Sequence, residues 1–259
     1  LLASRTWTGP KPINAYVIEH RDGLVLFDTG QDRASVTDPD YFPGGITRVL
    51  YDRLARFEIG PQETLSAGLG RLGYCAGDVS TAVVSHLHQD HIGGLAELGQ
   101  ANILVSRTEW NTLSSPLPEL RGLMARHIDL PGQRWQRIEP AATDDPGLAP
   151  FRACHDIFGD GSLVLLPTPG HTPGSMSLLV RQPDTAPLLM VGDLTYDVHV
   201  LEEGHVPGVG SRRRLRQATS MVNTLRTRMP DLVILPAHDP GAADRLAHAT
   251  GESPVTRAG

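Results

Sequence analysis

Residues 81–94 read TAVVSHLHQDHIGG: a short β-prone run, then His86, His88, Asp90 and His91, then Gly93-Gly94. An apolar run that stops at a cluster of imidazoles and a carboxylate places metal-type donors at a strand end. Rigid sheets hold functional side chains in such loops. The arrangement recurs downstream. Residues 163–166 (LVLL) run into Pro167-Thr168-Pro169-Gly170-His171, 188–191 (LLMV) into Gly192-Asp193, and 232–235 (LVIL) into Pro236-Ala237-His238. Imidazoles and carboxylates suit zinc and its transition-metal neighbours, whereas magnesium and calcium prefer all-oxygen sites. His86, His88, Asp90, His91, His171, Asp193 and His238 exceed the four ligands of one tetrahedral zinc and match two ions with shared coordination. Closed structural zinc sites usually employ cysteine, and none stands in these motifs, so a catalytic site with open positions is expected.

Outward from this stretch, 14–19 (NAYVIE) and 24–28 (LVLFD) predict a hairpin with Asp22-Gly23 supplying the turn. Residues 31–60 lose regular patterning and contain Tyr41, Phe42, Tyr51 and Phe57. Residues 61–73 include a short predicted helix, Asp78 suits a turn or cap, and 93–98 suits a helix start. Strands are expected at 103–105 and 176–180, and 107–127 is broken by Pro116 and Pro118. Between 188–191 and 232–235, within 212–229, Leu215, Ala218, Val222, Leu225 and Met229 recur at helical spacing. Arg212, Arg213 and Arg214 at its start read as a solvated face. Two strand-rich halves, 14–105 and 162–235, with helices between or after strands predict a layered α/β arrangement.

The 259 residues are expected to form one domain, 1–259. No apolar run approaches the ~20 residues of a membrane helix, so no membrane partner is expected. With 23 basic against 29 acidic residues and a net charge of −6, a partner of phosphate backbones, hence a nucleic acid, is not expected either. Cys75 and Cys154 are far apart and outside any Cys-x-x-Cys spacing, so no disulfide framework is called for. A cytoplasmic setting is the expectation. The chain opens on Leu1-Leu2 without an initiator methionine, which leaves an exported origin open.

The string SHLHQDHIGG, with His171 in PTPGHTPGS, Asp193 in VGD and His238 in LPAHD, resembles the metallo-β-lactamase superfamily over nearly the whole chain. The resemblance implies an αββα sandwich, two mixed sheets covered by helices, with a dinuclear metal site at one edge. It implies that His86, His88 and His171 hold one ion, that Asp90, His91 and His238 hold the other, and that Asp193 bridges them. Two divalent ions, zinc foremost with cobalt, manganese and iron also acceptable, would carry a bridging hydroxide as the nucleophile.

Within the superfamily, Asp193 stands where many true β-lactamases carry a cysteine, and His88 is not the Glu of di-iron flavoproteins. The 21 residues after His238 leave no expected room for the helical domain of glyoxalase II, and no inserted nucleic-acid domain supports a nuclease. The element Asp193-Leu194-Thr195-Tyr196, with the FDTG opening, resembles the N-acyl-homoserine lactonases. In that group a Tyr three residues after the bridging Asp assists the substrate carbonyl, which implies catalytic roles for Tyr196, Asp193 and Asp90, the last relaying a proton to the departing alkoxide. The expected partner is a small lactone or ester. The alternatives are a phosphotriester or aryl-ester hydrolase on the same metals, or a catalytically idle metal-binding protein. The aromatics of 41–57 are candidates for an acyl groove and are equally well explained by packing. His20, His127, His155, His199, His205 and His248 lie outside the motif.

Overall fold

The expected hairpin forms as β1 (Tyr16–His20) and β2 (Gly23–Phe27), antiparallel with Tyr16 opposite Phe27. Gly23 has φ +134°, and a Cβ there would stand 2.2 Å from Ser80 Oγ, so the turn requires glycine. The computed structural model describes residues 9–183 and 185–251. Chain contacts divide them into two compact units. One comprises the residues up to Leu104 with Asn111–Gln136, the other Val105–Trp110 with the residues from Arg137 onward.

The first sheet runs β1-β2-β3-β4-β5, with β3 at Val79–Val83, β4 at Asn102–Ser106 and β5 at Arg134–Ile138. β2, β3 and β4 are parallel neighbours, so the sheet is mixed. Its central strands read as continuous apolar runs because they are buried: Val25, Leu26, Ala82 and Ile103 are wholly inaccessible. The region 31–60 is more ordered than its pattern suggests. It contains α1 (Ala34–Thr37) and α2 (Ile46–Leu54), followed by α3 (Leu65–Arg71), which Thr64 caps through its hydroxyl. A cap has no side-chain signature at Gly45, which explains why α2 is silent in the sequence.

The first unit also holds α4 (Gln89–Ile92). The helix expected to begin at Gly93 therefore begins four residues earlier, inside the donor motif, and 95–97 is a single 3-10 turn. In the second unit α5 spans Arg107–Trp110, while α6 (Ala125–Ile128) belongs to the first.

The second sheet is ordered β11-β10-β9-β8-β7-β6, from β6 (Ala141–Ala142), β7 (Ala153–Asp156), β8 (Leu163–Pro167), β9 (Met176–Val180), β10 (Leu188–Gly192) and β11 (Val233–Pro236). β10 and β11 are parallel and the other pairings are antiparallel. Helices α7 (Val198–Glu202), α8 (Arg212–Arg228) and α9 (Ala242–Thr250) complete the unit. Along α8, Leu215, Ala218, Val222 and Leu225 share a core with Val164 and Leu166 of β8, Leu179 of β9, Leu189 and Val191 of β10 and Ile234 of β11. Arg212, Arg213 and Arg214 are exposed, as a solvated face requires. Both cysteines are free. The described residues thus form two mixed sheets with helices, the α/β class expected, and no helix among them is long and apolar enough to cross a membrane.

Candidate metal centre

In the first unit, β3 ends at Val83 and delivers Ser85-His86-Leu87-His88 to the start of α4. His88 has extended backbone, while Asp90 and His91 lie on the first helical turn, so one reversal of the chain serves all four donors. His86 and His91 are fully buried. Gly93 closes the reversal. Its N–H donates to the Gly30 carbonyl at 2.8 Å, and a Cβ would fall 2.0 Å from the Asp32 nitrogen.

Hydrogen bonding orients the imidazoles of this unit. Asp28, at the end of β2, is 1% exposed and accepts from Ser85 N–H at 2.7 Å, Ser85 Oγ at 2.9 Å and His91 Nδ1 at 2.8 Å. An ionised carboxylate only accepts, so His91 carries its proton on Nδ1 and keeps a lone pair on Nε2. That nitrogen lies 4.0 Å from Asp90 Oδ1. Ser85 has spent its one proton on Asp28, so His86 Nδ1, at 3.0 Å, must donate to the Ser85 oxygen. His88 Nε2 likewise donates to the Arg121 carbonyl at 3.1 Å. His86 Nε2 and His88 Nδ1 face each other across 3.0 Å, where one proton or one cation can lie between them. Two nitrogens bound tetrahedrally to zinc at ~2.0–2.1 Å stand about 3.3 Å from each other.

The second unit presents its donors separately. His171 follows β8, Asp193 follows β10 and His238 follows β11. The ends of β10 and β11 are tied by Ala237 N–H donating to the Gly192 carbonyl at 3.2 Å. Asp193, 6% exposed, divides its carboxylate: Oδ2 is 3.2 Å from His171 Nε2, and Oδ1 is 3.1 Å from His238 Nε2. One oxygen for each imidazole is the arrangement a bridging ligand needs. Tyr196 is half-buried, its ring centred 5.5 Å from His238 and 6.3 Å from His171. Each unit's donors therefore fit divalent transition-metal ions.

Three buried carboxylates near these donors carry no motif of their own in the sequence. Asp28 orients His91, and its trace in the sequence is the FDTG element at a strand end. Asp239, next to His238, accepts from Val198 N–H at 3.0 Å, Gly241 N–H at 2.8 Å and Arg245 Nη2 at 2.7 Å. Burial alone would push its carboxyl up, but these bonds and the Arg245 charge outweigh burial and hold it below the usual range. Glu109 is buried beneath the His171 loop.

The aromatics of 41–57 pack on one another. Tyr41 and Tyr51 are buried with Met124, Phe42 lies edge-on to Tyr41, and Tyr51 donates to the Glu119 carbonyl at 2.9 Å. Burial, then Glu119, pushes the Tyr51 phenol up to about 12, so it stays neutral. His199 and His205 are exposed beside Glu202 and Glu203.

The sequence pattern described as "Metallo-beta-lactamase superfamily" matches residues 8–238. The chain belongs to that superfamily. Among its relatives, an N-acyl homoserine lactonase AttM of Rhizobium radiobacter is 32% identical over 89% of this chain and 83% of its own. A solved N-acyl homoserine lactone hydrolase, with the product N-hexanoyl-L-homoserine at its catalytic metal center, shares the fold with a TM-score of 0.71. It is 23% identical over 89% of this chain and 82% of that one. AidC, a dizinc quorum-quenching lactonase, gives a TM-score of 0.56 at 17% identity over 88% and 72%. The superfamily fold thus accounts for both mixed sheets and for donors at strand ends.

Proposed function

We infer that this superfamily member is a dinuclear metal hydrolase that opens the lactone ring of N-acyl-homoserine lactones, working as a single domain. The observation that carries the reading is the Asp193 carboxylate, divided between two imidazoles with Tyr196 beside both. Relatives named as N-acyl homoserine lactonases supply the substrate class.

In this reading His86, His88 and His171 hold one ion, Asp90, His91 and His238 hold the other, and Asp193 joins them. Zinc is the ion assigned, and cobalt, manganese and iron accept the same donors. When bound, such ions supply hydroxide near neutral pH and polarise a carbonyl. The rest falls to the chain's own side chains. Tyr196 donates its phenolic O–H to the lactone carbonyl oxygen as negative charge builds there. Asp28 keeps His91 in one tautomer and one orientation. The Asp90 side chain, at 21% exposure the most open carboxylate of the set, takes the proton of the hydroxyl group that has added to the carbonyl carbon and hands it to the ring oxygen as the carbon–oxygen bond breaks. The product is the ring-opened N-acyl-homoserine.

Proton release from hexanoyl- and dodecanoyl-homoserine lactone, beside a phosphotriester and an aryl ester, tests the substrate class. Lactone opening is expected to dominate, and phosphotriester turnover without lactone opening would reject it. Tyr196→Phe is expected to lower kcat about 100-fold with little change in metal content. Unchanged kcat would remove the phenol from the mechanism.

A further inference from the structure

Where β4 passes directly into α5 the chain reads Ser106-Arg107-Thr108-Glu109, and Glu109, within α5, is wholly buried. A carboxylate is costly there unless hydrogen-bonded. Its Oε2 accepts from Thr172 Oγ1 at 2.7 Å and from Gly174 N–H at 3.0 Å. Ser106 closes the connection from the other side, its hydroxyl donating to the Gly174 carbonyl at 2.8 Å and accepting Glu109 N–H at 3.0 Å. The approach is so close that a Cβ on Gly174 would stand 2.2 Å from the Glu109 nitrogen.

These partners, Thr172 and Gly174, closely follow His171 in the chain. Within the loop, Thr172 N–H donates to Ser175 Oγ at 3.1 Å and Gly170 N–H to the Thr172 carbonyl at 2.9 Å. On its other side, Ser211 N–H at the start of α8 donates to the Gly170 carbonyl at 2.7 Å. A Cβ on Gly210 would lie 2.7 Å from the His171 Cα. The backbone of His171 is thus gripped from α8 and from Glu109.

We propose that Glu109 is the positioning residue of His171, fixing through Thr172 and Gly174 the direction in which that imidazole presents Nε2. It touches neither substrate nor metal. The proposal rests on the reading of His171 as a metal ligand.

Titration of the metal-free protein with cobalt(II), followed by bound metal and by the visible absorbance of the ion, tests it. Glu109→Ala is expected to weaken the ion that shares His171 about 10- to 100-fold and to change its spectrum, leaving the other ion near wild type, while the metal-free unfolding midpoint falls because the Thr172 hydroxyl and the Gly174 N–H lose their acceptor. Glu109→Gln keeps an oxygen that can accept from both donors, and should restore affinity to within about threefold. Thr172→Val, which removes one of the two bonds, should fall between. It decides the matter should Glu109→Ala not fold. Wild-type cobalt affinity in Glu109→Ala or in Thr172→Val overturns the proposal. His171→Ala separates the two levels: if it retains both ions, the ligand assignment fails. If it loses one while Glu109→Ala loses none, the positioning role alone fails.

Discussion

Asparagine in place of Asp193 is expected to cost the protein one bound ion and to slow lactone opening by about 1,000-fold or more, the scale of several kcal/mol of lost electrostatic stabilisation. Each oxygen of Asp193 faces a different imidazole, His171 at 3.2 Å and His238 at 3.1 Å. An amide has one acceptor oxygen, no negative charge and a nitrogen that cannot ligate in its place. Asparagine can therefore serve one side of the pair but not join both. The change is nearly isosteric and removes a buried charge, so the metal-free unfolding midpoint should hold. Metal analysis beside kcat checks both parts. Two ions retained at wild-type affinity would place the bridge elsewhere.

A second large effect is expected at Asp28, and it should appear in stability first. Asp28→Ala leaves the Ser85 N–H, the Ser85 hydroxyl and the His91 Nδ1–H without their acceptor in a site sealed from water. It also places alanine at φ +60°. Breaking a buried charged network of this kind costs about 3–5 kcal/mol. For a chain of this size that is a fall in Tm of roughly 10 °C. Metal affinity should drop by about 10- to 100-fold as well, because His91 is then free to turn its proton toward the donor set. Asp28→Asn tolerates the left-handed backbone and keeps one oxygen, so its loss should be smaller. Thermal unfolding of the metal-free Ala and Asn variants gives the order, and equal Tm for Ala and wild type would refute the role.

The donors themselves are legible because ligation demands particular side chains at turn spacing after an apolar run, and both requirements are local. Their supports are not. Asp28 meets Ser85 and His91 across 57 and 63 positions of chain, and Glu109 meets Thr172 across 63, so only the folded backbone brings them together. The elements divide in the same way. β9 and α8 announce themselves by continuous or periodic burial, whereas β5 reads Arg134-Trp135-Gln136-Arg137-Ile138 and buries Ile138 alone, the charged look of an edge strand. The start of α4 is hidden because His88 supplies no side-chain cap, and Gly93, which resembles a helix entry, is instead fastened to Gly30.

The most direct test of a paired-metal lactonase is to add zinc stepwise to the metal-free protein and follow proton release from hexanoyl-homoserine lactone at each equivalent. The proposed assignment divides the donors into two sets joined by one carboxylate, so ring opening should remain low through the first equivalent and rise steeply with the second. Full activity at one equivalent, or in the metal-free protein, would contradict the paired centre. Two bound equivalents without ring opening would contradict the lactonase reading.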